Sequence, residues 1–126
     1  MTDQRPTEAE LEIFAVLWKN GPSTVRAVNE ELAERKNVGY TTTLKIMQIM
    51  TEKGLLERSL DGRMHIYTPL LKEEEVQNKL VNRLLATAFR GSAHTLILQA
   101  LGNHKASEEE LSEIKDLIRK LEEDRS

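Results

Sequence analysis

Apolar residues along this chain recur first at the helical period, then briefly at period two, then at the helical period again. A polar segment, residues 1–6, is read as loose. Behind it, Thr7 and Glu10 form a capping-box pair, and Leu11, Phe14, Leu17 and Trp18 follow at helical spacing until Gly21-Pro22 ends the run. Ser23 or Thr24 caps a second helix whose inner face is Val25, Val28 and Leu32. After a short loop at Lys36-Asn37-Val38, the stretch Gly39 to Gly54, GYTTTLKIMQIMTEKG, predicts a third helix of about four turns. Leu44, Met47 and Met50, with Ile46 beside them, make its apolar stripe. Thr41, Thr42, Lys45 and Gln48 make the opposite face, which is short, polar and nearly uncharged.

Past Gly54 the period changes. Leu55 to Leu60 and Arg63 to Thr68 read as two strands around a two-residue Asp61-Gly62 turn, with Pro69 closing the second. Met64 and Ile66 alternate with Arg63, His65 and Tyr67, which predicts one packed face and one open face. Three helices and a hairpin in this order predict a winged helix-turn-helix, with the hairpin as the wing.

The second half is helical throughout. Val76, Leu80, Leu84 and Ala88 share a face widened by Val81, Leu85 and Phe89, with Gly91 as the stop. Leu96, Ile97, Leu98, Ala100 and Leu101 form a nearly all-apolar segment ended by Gly102. Ser107 and Glu110 make a second capping box ahead of Leu111, Ile114, Ile118 and Leu121. The acidic runs Glu73–Glu75 and Glu108–Glu110 sit at helix starts, where the macrodipole favours them. A segment apolar on nearly every side must be covered all round. The economical cover is a second copy of the chain about a two-fold axis, the alternative being a tail folded back on the first domain. The expected dimerisation residues are Leu80, Leu84, Leu96, Ile97, Leu98, Leu101, Leu111, Ile114, Ile118 and Leu121.

The fold class expected is therefore mainly α with a small β hairpin: a winged helix-turn-helix domain at 1–70 and a three-helix carboxy-terminal dimerisation domain at 71–126. Composition changes this picture little. The chain has 126 residues and no cysteine, so disulfides and thiolate metal sites are excluded. No apolar run is long enough for a membrane span, and the acidic start is no signal peptide, so a cytoplasmic location without membrane insertion is expected. His65, His94 and His104 lack ligand spacing, so neither a metal nor a cofactor is expected. No glycine-rich phosphate loop and no paired nucleophile and base occur, so an enzyme is not expected.

Charge matters more. The chain is −3 overall, yet residues 35–68 hold six basic side chains (Arg35, Lys36, Lys45, Lys53, Arg58, Arg63) against three acidic ones (Glu52, Glu57, Asp61), a net of +3. A basic patch on an acidic chain fits a DNA-binding domain joined to an acidic module. Thr41, Thr42, Lys45 and Gln48 are then the residues nearest the bases, since glutamine can pair with adenine and threonine methyls can meet thymine. Arg58 and Arg63, with His65 as a lesser candidate, would hold the phosphate backbone. Tyr40 is either a phosphate contact through its hydroxyl or a residue packed on the second helix, packing being the safer reading.

The order TTTLKIMQIMTEKGLL, a short wing, IYTP, then LVNRLLATAFRGSAHTLILQAL resembles the penicillinase-repressor (BlaI/MecI/CopY) family from about Thr7 to Leu121. The motifs are soft singly, but their joint order and spacing are specific. The resemblance implies a winged-helix repressor that binds a palindromic double-stranded operator as a homodimer and works in antibiotic-resistance regulation. It also implies a membrane-linked sensor-protease pathway that ends in a cut within the dimerisation helix. By alignment that cut falls in Leu98-Gln99-Ala100-Leu101, where similar members commonly carry Asn-Phe in place of Gln99-Ala100. The family often has an arginine where this chain has Ile49. The copper-responsive branch uses a cysteine-rich tail, which a chain without cysteine excludes. The rival reading is a winged helix used only for protein contact, favoured by Ile49 and by the negative total charge.

Overall fold

The computed structural model describes residues 5–125. Of the segment read as loose, positions 1–4 lie outside the described residues. Three helices come first: α1 (Glu8–Asn20), α2 (Val25–Ala33) and α3 (Tyr40–Glu52). A two-stranded antiparallel hairpin follows, β1 (Leu56–Asp61) and β2 (Met64–Pro69), then α4 (Glu73–Thr87), α5 (Ala93–Asn103) and α6 (Glu108–Asp124). The winged-helix order is present as expected.

Contacts divide the chain into two compact units, Met1–Lys79 and Leu80–Ser126, so the division falls inside α4. Leu71 packs on the core of the first unit and its carbonyl accepts a hydrogen bond from Trp18 Nε1 at 3.0 Å. Val76 is buried, whereas no described residue from Leu80 onward is.

In the first unit, α1 begins at a complete capping box. Thr7 Oγ1 accepts from the Glu10 N–H, and Glu10 Oε1 accepts from the Thr7 N–H. Ile13, Phe14, Val16 and Leu17 of α1, Val25, Val28 and Leu32 of α2, and Met47 and Met50 of α3 close over one another with Leu55, Leu56 and Tyr67. Each such side chain contributes about 1.5–3 kcal/mol of burial. Trp18 stacks on Phe14 with ring centroids 4.8 Å apart and packs, partly buried, against this core.

The hairpin departs from expectation by one residue. Asp61 pairs with Met64, so the turn is Gly62-Arg63 and not Asp61-Gly62. Gly62 takes φ +66 at the first central position, where a two-residue turn of the II′ kind requires glycine. The face that packs is the one carrying Tyr67. Tyr67 and Leu56 are buried, while Met64 is exposed and Ile66 half-buried. Tyr67 is drawn in because its N–H donates to the Ser23 carbonyl at 2.9 Å, fixing the hairpin base to the start of α2.

In the second unit, Gly102 does not end α5, which runs on through it to Asn103. Ser107 Oγ accepts from the Glu110 N–H as the start of α6 requires. No described residue of α5 or α6 is buried, and these two helices make no extensive packing contact with each other. Their apolar faces stand open in the single chain.

Candidate nucleic-acid interface

The outer face of α3 is set by what its inner face must bury. Thr43, Met47 and Met50 point into the core, which turns Thr41, Thr42, Lys45 and Gln48 outward, all exposed. Ile49 belongs to this outer face too, 38% exposed, at the position next to Gln48. Gly39 starts the helix in extended backbone and offers no side-chain cap, and the first turn holds no acid. The first-turn N–H groups of α3 therefore keep no internal side-chain acceptor, the condition under which a helix start suits an anion.

Two buried polar side chains aim this helix, and sequence reading singled out neither pairing. Asn29 on α2 donates from Nδ2 to Thr43 Oγ1 at 2.9 Å and to the Val38 carbonyl at 3.1 Å. Thr43 Oγ1 in turn donates to the Gly39 carbonyl at 3.3 Å. At the other end, Lys53 Nζ reaches Glu10 Oε2 at 2.9 Å, tying the C-cap of α3 to the first turn of α1. Glu10 is only 3% exposed. Burial alone would push its carboxyl up, but the Lys53 hydrogen bond, the Thr7 N–H and the Lys53 charge outweigh it and hold Glu10 below the usual carboxylate value. An asparagine bordering an apolar stripe, as Asn29 borders Val25, Val28 and Leu32, was the available signal for the first pairing.

These bonds also redraw the basic patch. Lys53 is committed to Glu10, and Lys36 pairs with Glu12 at 2.8 Å, both acids lying outside the 35–68 window. Two of the six basic charges counted there are therefore paired within the fold. Lys45 on α3, Arg58 on β1 and Arg63 in the hairpin turn carry no such ion pair among the described residues. Arg58 lies opposite Tyr67 near the hairpin base, and Arg63 sits at its apex, roughly 10 Å further out at about 3.3 Å per residue. His65, opposite Leu60, is exposed. Tyr40 meets α2 through the Arg26 side chain, in keeping with the packing reading, but it is not enclosed there. It is 45% exposed, with the Arg26 guanidinium over its ring.

Gln99 and Ala100 lie in the middle of α5, both exposed. Among the described residues no helix is long and apolar enough to cross a membrane.

The chain has a winged-helix fold. Its fold is shared with a MarR family protein from Bacillus stearothermophilus at a TM-score of 0.54 and 18% identity, over 94% of this chain and 74% of that one. The chain belongs to the penicillinase repressor family, whose profile matches residues 6–120. The penicillinase repressor of Bacillus licheniformis is 26% identical over 112 residues, 89% of this chain and 88% of that protein. The methicillin resistance regulatory protein MecI of Staphylococcus aureus is 20% identical over 90% of this chain and 93% of its own length. The transcriptional regulator BlaI of Mycobacterium tuberculosis is 33% identical over 82 residues, 64% of this chain and 59% of that protein. The protein is thus a transcriptional repressor of the BlaI/MecI type and not an enzyme.

Proposed function

We propose that the protein represses transcription as a homodimer on a palindromic DNA operator, each α3 entering the major groove of one half-site. The observation that carries this reading is the outer face of α3, where Thr41, Thr42, Lys45 and Gln48 stand exposed on a helix locked at both ends. Gln48 can make a bidentate pair with adenine, worth about 1–3 kcal/mol of discrimination. Thr41 and Thr42 offer methyls to thymine and hydroxyls to phosphate, and Lys45 serves phosphate or guanine. Arg58 and Arg63 grip the backbone along the wing and fix register without reading sequence. Tyr40, exposed at the start of α3, belongs to the same surface.

Dimerisation falls to the carboxy-terminal half, 71–126 by the sequence division. Its support is the open apolar surface of α4 to α6: Leu84, Ile97, Leu98, Leu101, Leu111, Ile118 and Leu121 are all exposed in the single chain, with Leu80, Leu96 and Ile114 only half-buried. A two-fold pairing covers this surface and sets two reading helices one or more helical turns apart, which demands a palindrome. Proteolysis at Gln99-Ala100, by a membrane-linked sensor pathway, would cut the centre of α5 and so undo the dimer.

A gel-shift titration against duplexes selected from a random pool, across a salt series, tests the proposal. Specific binding that weakens steeply with salt is expected, because phosphate contacts release counterions. Replacing Lys45 and Gln48 together by alanine should lower affinity for the selected duplex, and unchanged binding would remove them from the interface. The rival reading, a winged helix for protein contact alone, draws on exposed Ile49, Leu60 and Met64. It predicts no salt-dependent DNA binding at all.

A further inference from the structure

The Arg26 guanidinium lies over the ring of Tyr40, 5.6 Å from its centroid. Arg26 is the second residue of α2 and Tyr40 the first of α3, so this stack joins the starts of the two helices of the helix-turn-helix. Both side chains are exposed. Among the described residues Arg26 has no carboxylate partner, and neither α2 nor α3 carries an acid in its first turn. The charge is therefore held in place by a ring and neutralised by nothing in the fold. A stack of this kind is modestly favourable at an exposed site. A guanidinium seated on a ring can still offer N–H groups that match a phosphate in fork geometry.

We propose that Arg26 is a further phosphate-binding residue, seated by Tyr40, which extends the DNA interface from α3 onto the start of α2. The inference rests on the DNA-reading proposal above. It assigns Tyr40 a role different from direct contact: the ring is the platform that keeps Arg26 from spreading over many rotamers before DNA arrives. In a helix-turn-helix the helix ahead of the reading helix crosses the phosphate backbone, and the start of α2 is where a cation is poised to meet it.

The test uses the full chain, a duplex selected by the wild-type protein from a random pool, and a shuffled duplex of equal length. Arg26→Ala should reduce the slope of log affinity against log salt by about 0.9 for each Arg26 engaged. It should weaken both duplexes by the same factor, since a phosphate contact carries no sequence information. Tyr40→Leu should weaken binding while leaving most of the salt slope, because the charge remains and only its seat is lost. Arg26→Gln repeats the charge removal with a side chain that keeps most of the length, in case alanine disturbs α2. An unchanged slope in both Arg26 variants overturns the inference while leaving the reading by α3 intact, as does a loss confined to the selected duplex. Wild-type protein that binds neither duplex in a salt-dependent way overturns the DNA reading and this inference together.

Discussion

Asn29 Nδ2 donates to Thr43 Oγ1 at 2.9 Å, a partly buried polar bond between the two helices of the helix-turn-helix. Thr43 is fully buried, so its hydroxyl depends on Asn29 and on the Gly39 carbonyl alone. The same asparagine also holds the Val38 carbonyl, so one side chain fixes α2, the connecting loop and the start of α3. Removing one partner leaves the other unsatisfied, whereas replacing both by apolar groups of like shape can be nearly neutral. Asn29→Leu alone should therefore cost about 1–3 kcal/mol in urea unfolding. The pair Asn29→Leu with Thr43→Val should recover much of that loss. Additive losses in the double variant would show that the bond is not the coupling between these helices.

The tie at the other end of α3 makes a pH prediction. Glu10 has its carboxyl pKa lowered in the fold from an ordinary 4.5, chiefly because Lys53 and the Thr7 N–H outweigh the cost of burial. A group whose folded value is depressed adds stability above its unfolded value and loses it as pH falls through the folded one. Stability from this tie is thus complete above about pH 4.5 and drains away below it. Glu10→Gln, which keeps the shape and can still accept from the Thr7 N–H, should be less stable at pH 7 by about 1–3 kcal/mol. The gap between the two proteins should close on acidification below pH 4.5. Thermal melts from pH 7 to pH 3 check both, and a gap that widens in acid would mean that the ionised Glu10 carboxylate is not what stabilises the fold.

The hairpin turn sets a structural residue beside a proposed DNA contact. Gly62 sits at φ +66, a region that costs an L-residue with a Cβ about 1–2 kcal/mol. Gly62→Ala should lower stability by about that amount, since the first position of a II′ turn is one that glycine takes without strain. Arg63 beside it is exposed and unpaired among the described residues, so Arg63→Ala should leave the melting temperature unchanged and still weaken DNA. Equal DNA affinity for Arg63→Ala and wild type would take the wing apex out of the interface.

How much of this was legible beforehand follows from the kind of signal each feature leaves. The helices show because burial forces a period, and Met47 and Met50 reveal which side of α3 is inward and so which side is free. The hairpin shows through its glycine, but Asp-Gly and Gly-Arg are both acceptable two-residue turns, and the choice between them depends on pairing. Here Asp61 pairs with Met64, and the hairpin base is also tied to Ser23 through the Tyr67 N–H, 44 residues apart in sequence and beyond the reach of any local rule. Asn29, Arg26 and the Glu10–Lys53 tie were hidden for the same reason. Each residue looks like ordinary helix surface until its partner is brought beside it. Basic charges counted along the chain misled in proportion, since Lys36 and Lys53 find their acids on α1.

The open faces of the carboxy-terminal half carry the last prediction. Leu98 is 58% exposed and Ile118 51% exposed in the single chain, and α5 and α6 do not cover each other. An apolar side chain of this size gains about 1.5–3 kcal/mol on full burial, so a two-fold partner that covers both helices gains each contribution twice. Leu98→Glu and Ile118→Glu would place charges in that interface with no counter-charge to meet them. Each should shift sedimentation of the full chain from dimer toward monomer and raise the protein concentration needed for operator binding. The first unit should keep its fold, because none of its buried residues is altered. A chain ending at Lys79, which retains Leu71 and buried Val76, should sediment as a monomer and bind a half-site weakly. Stable dimers in that shortened chain would move the interface out of the carboxy-terminal half altogether.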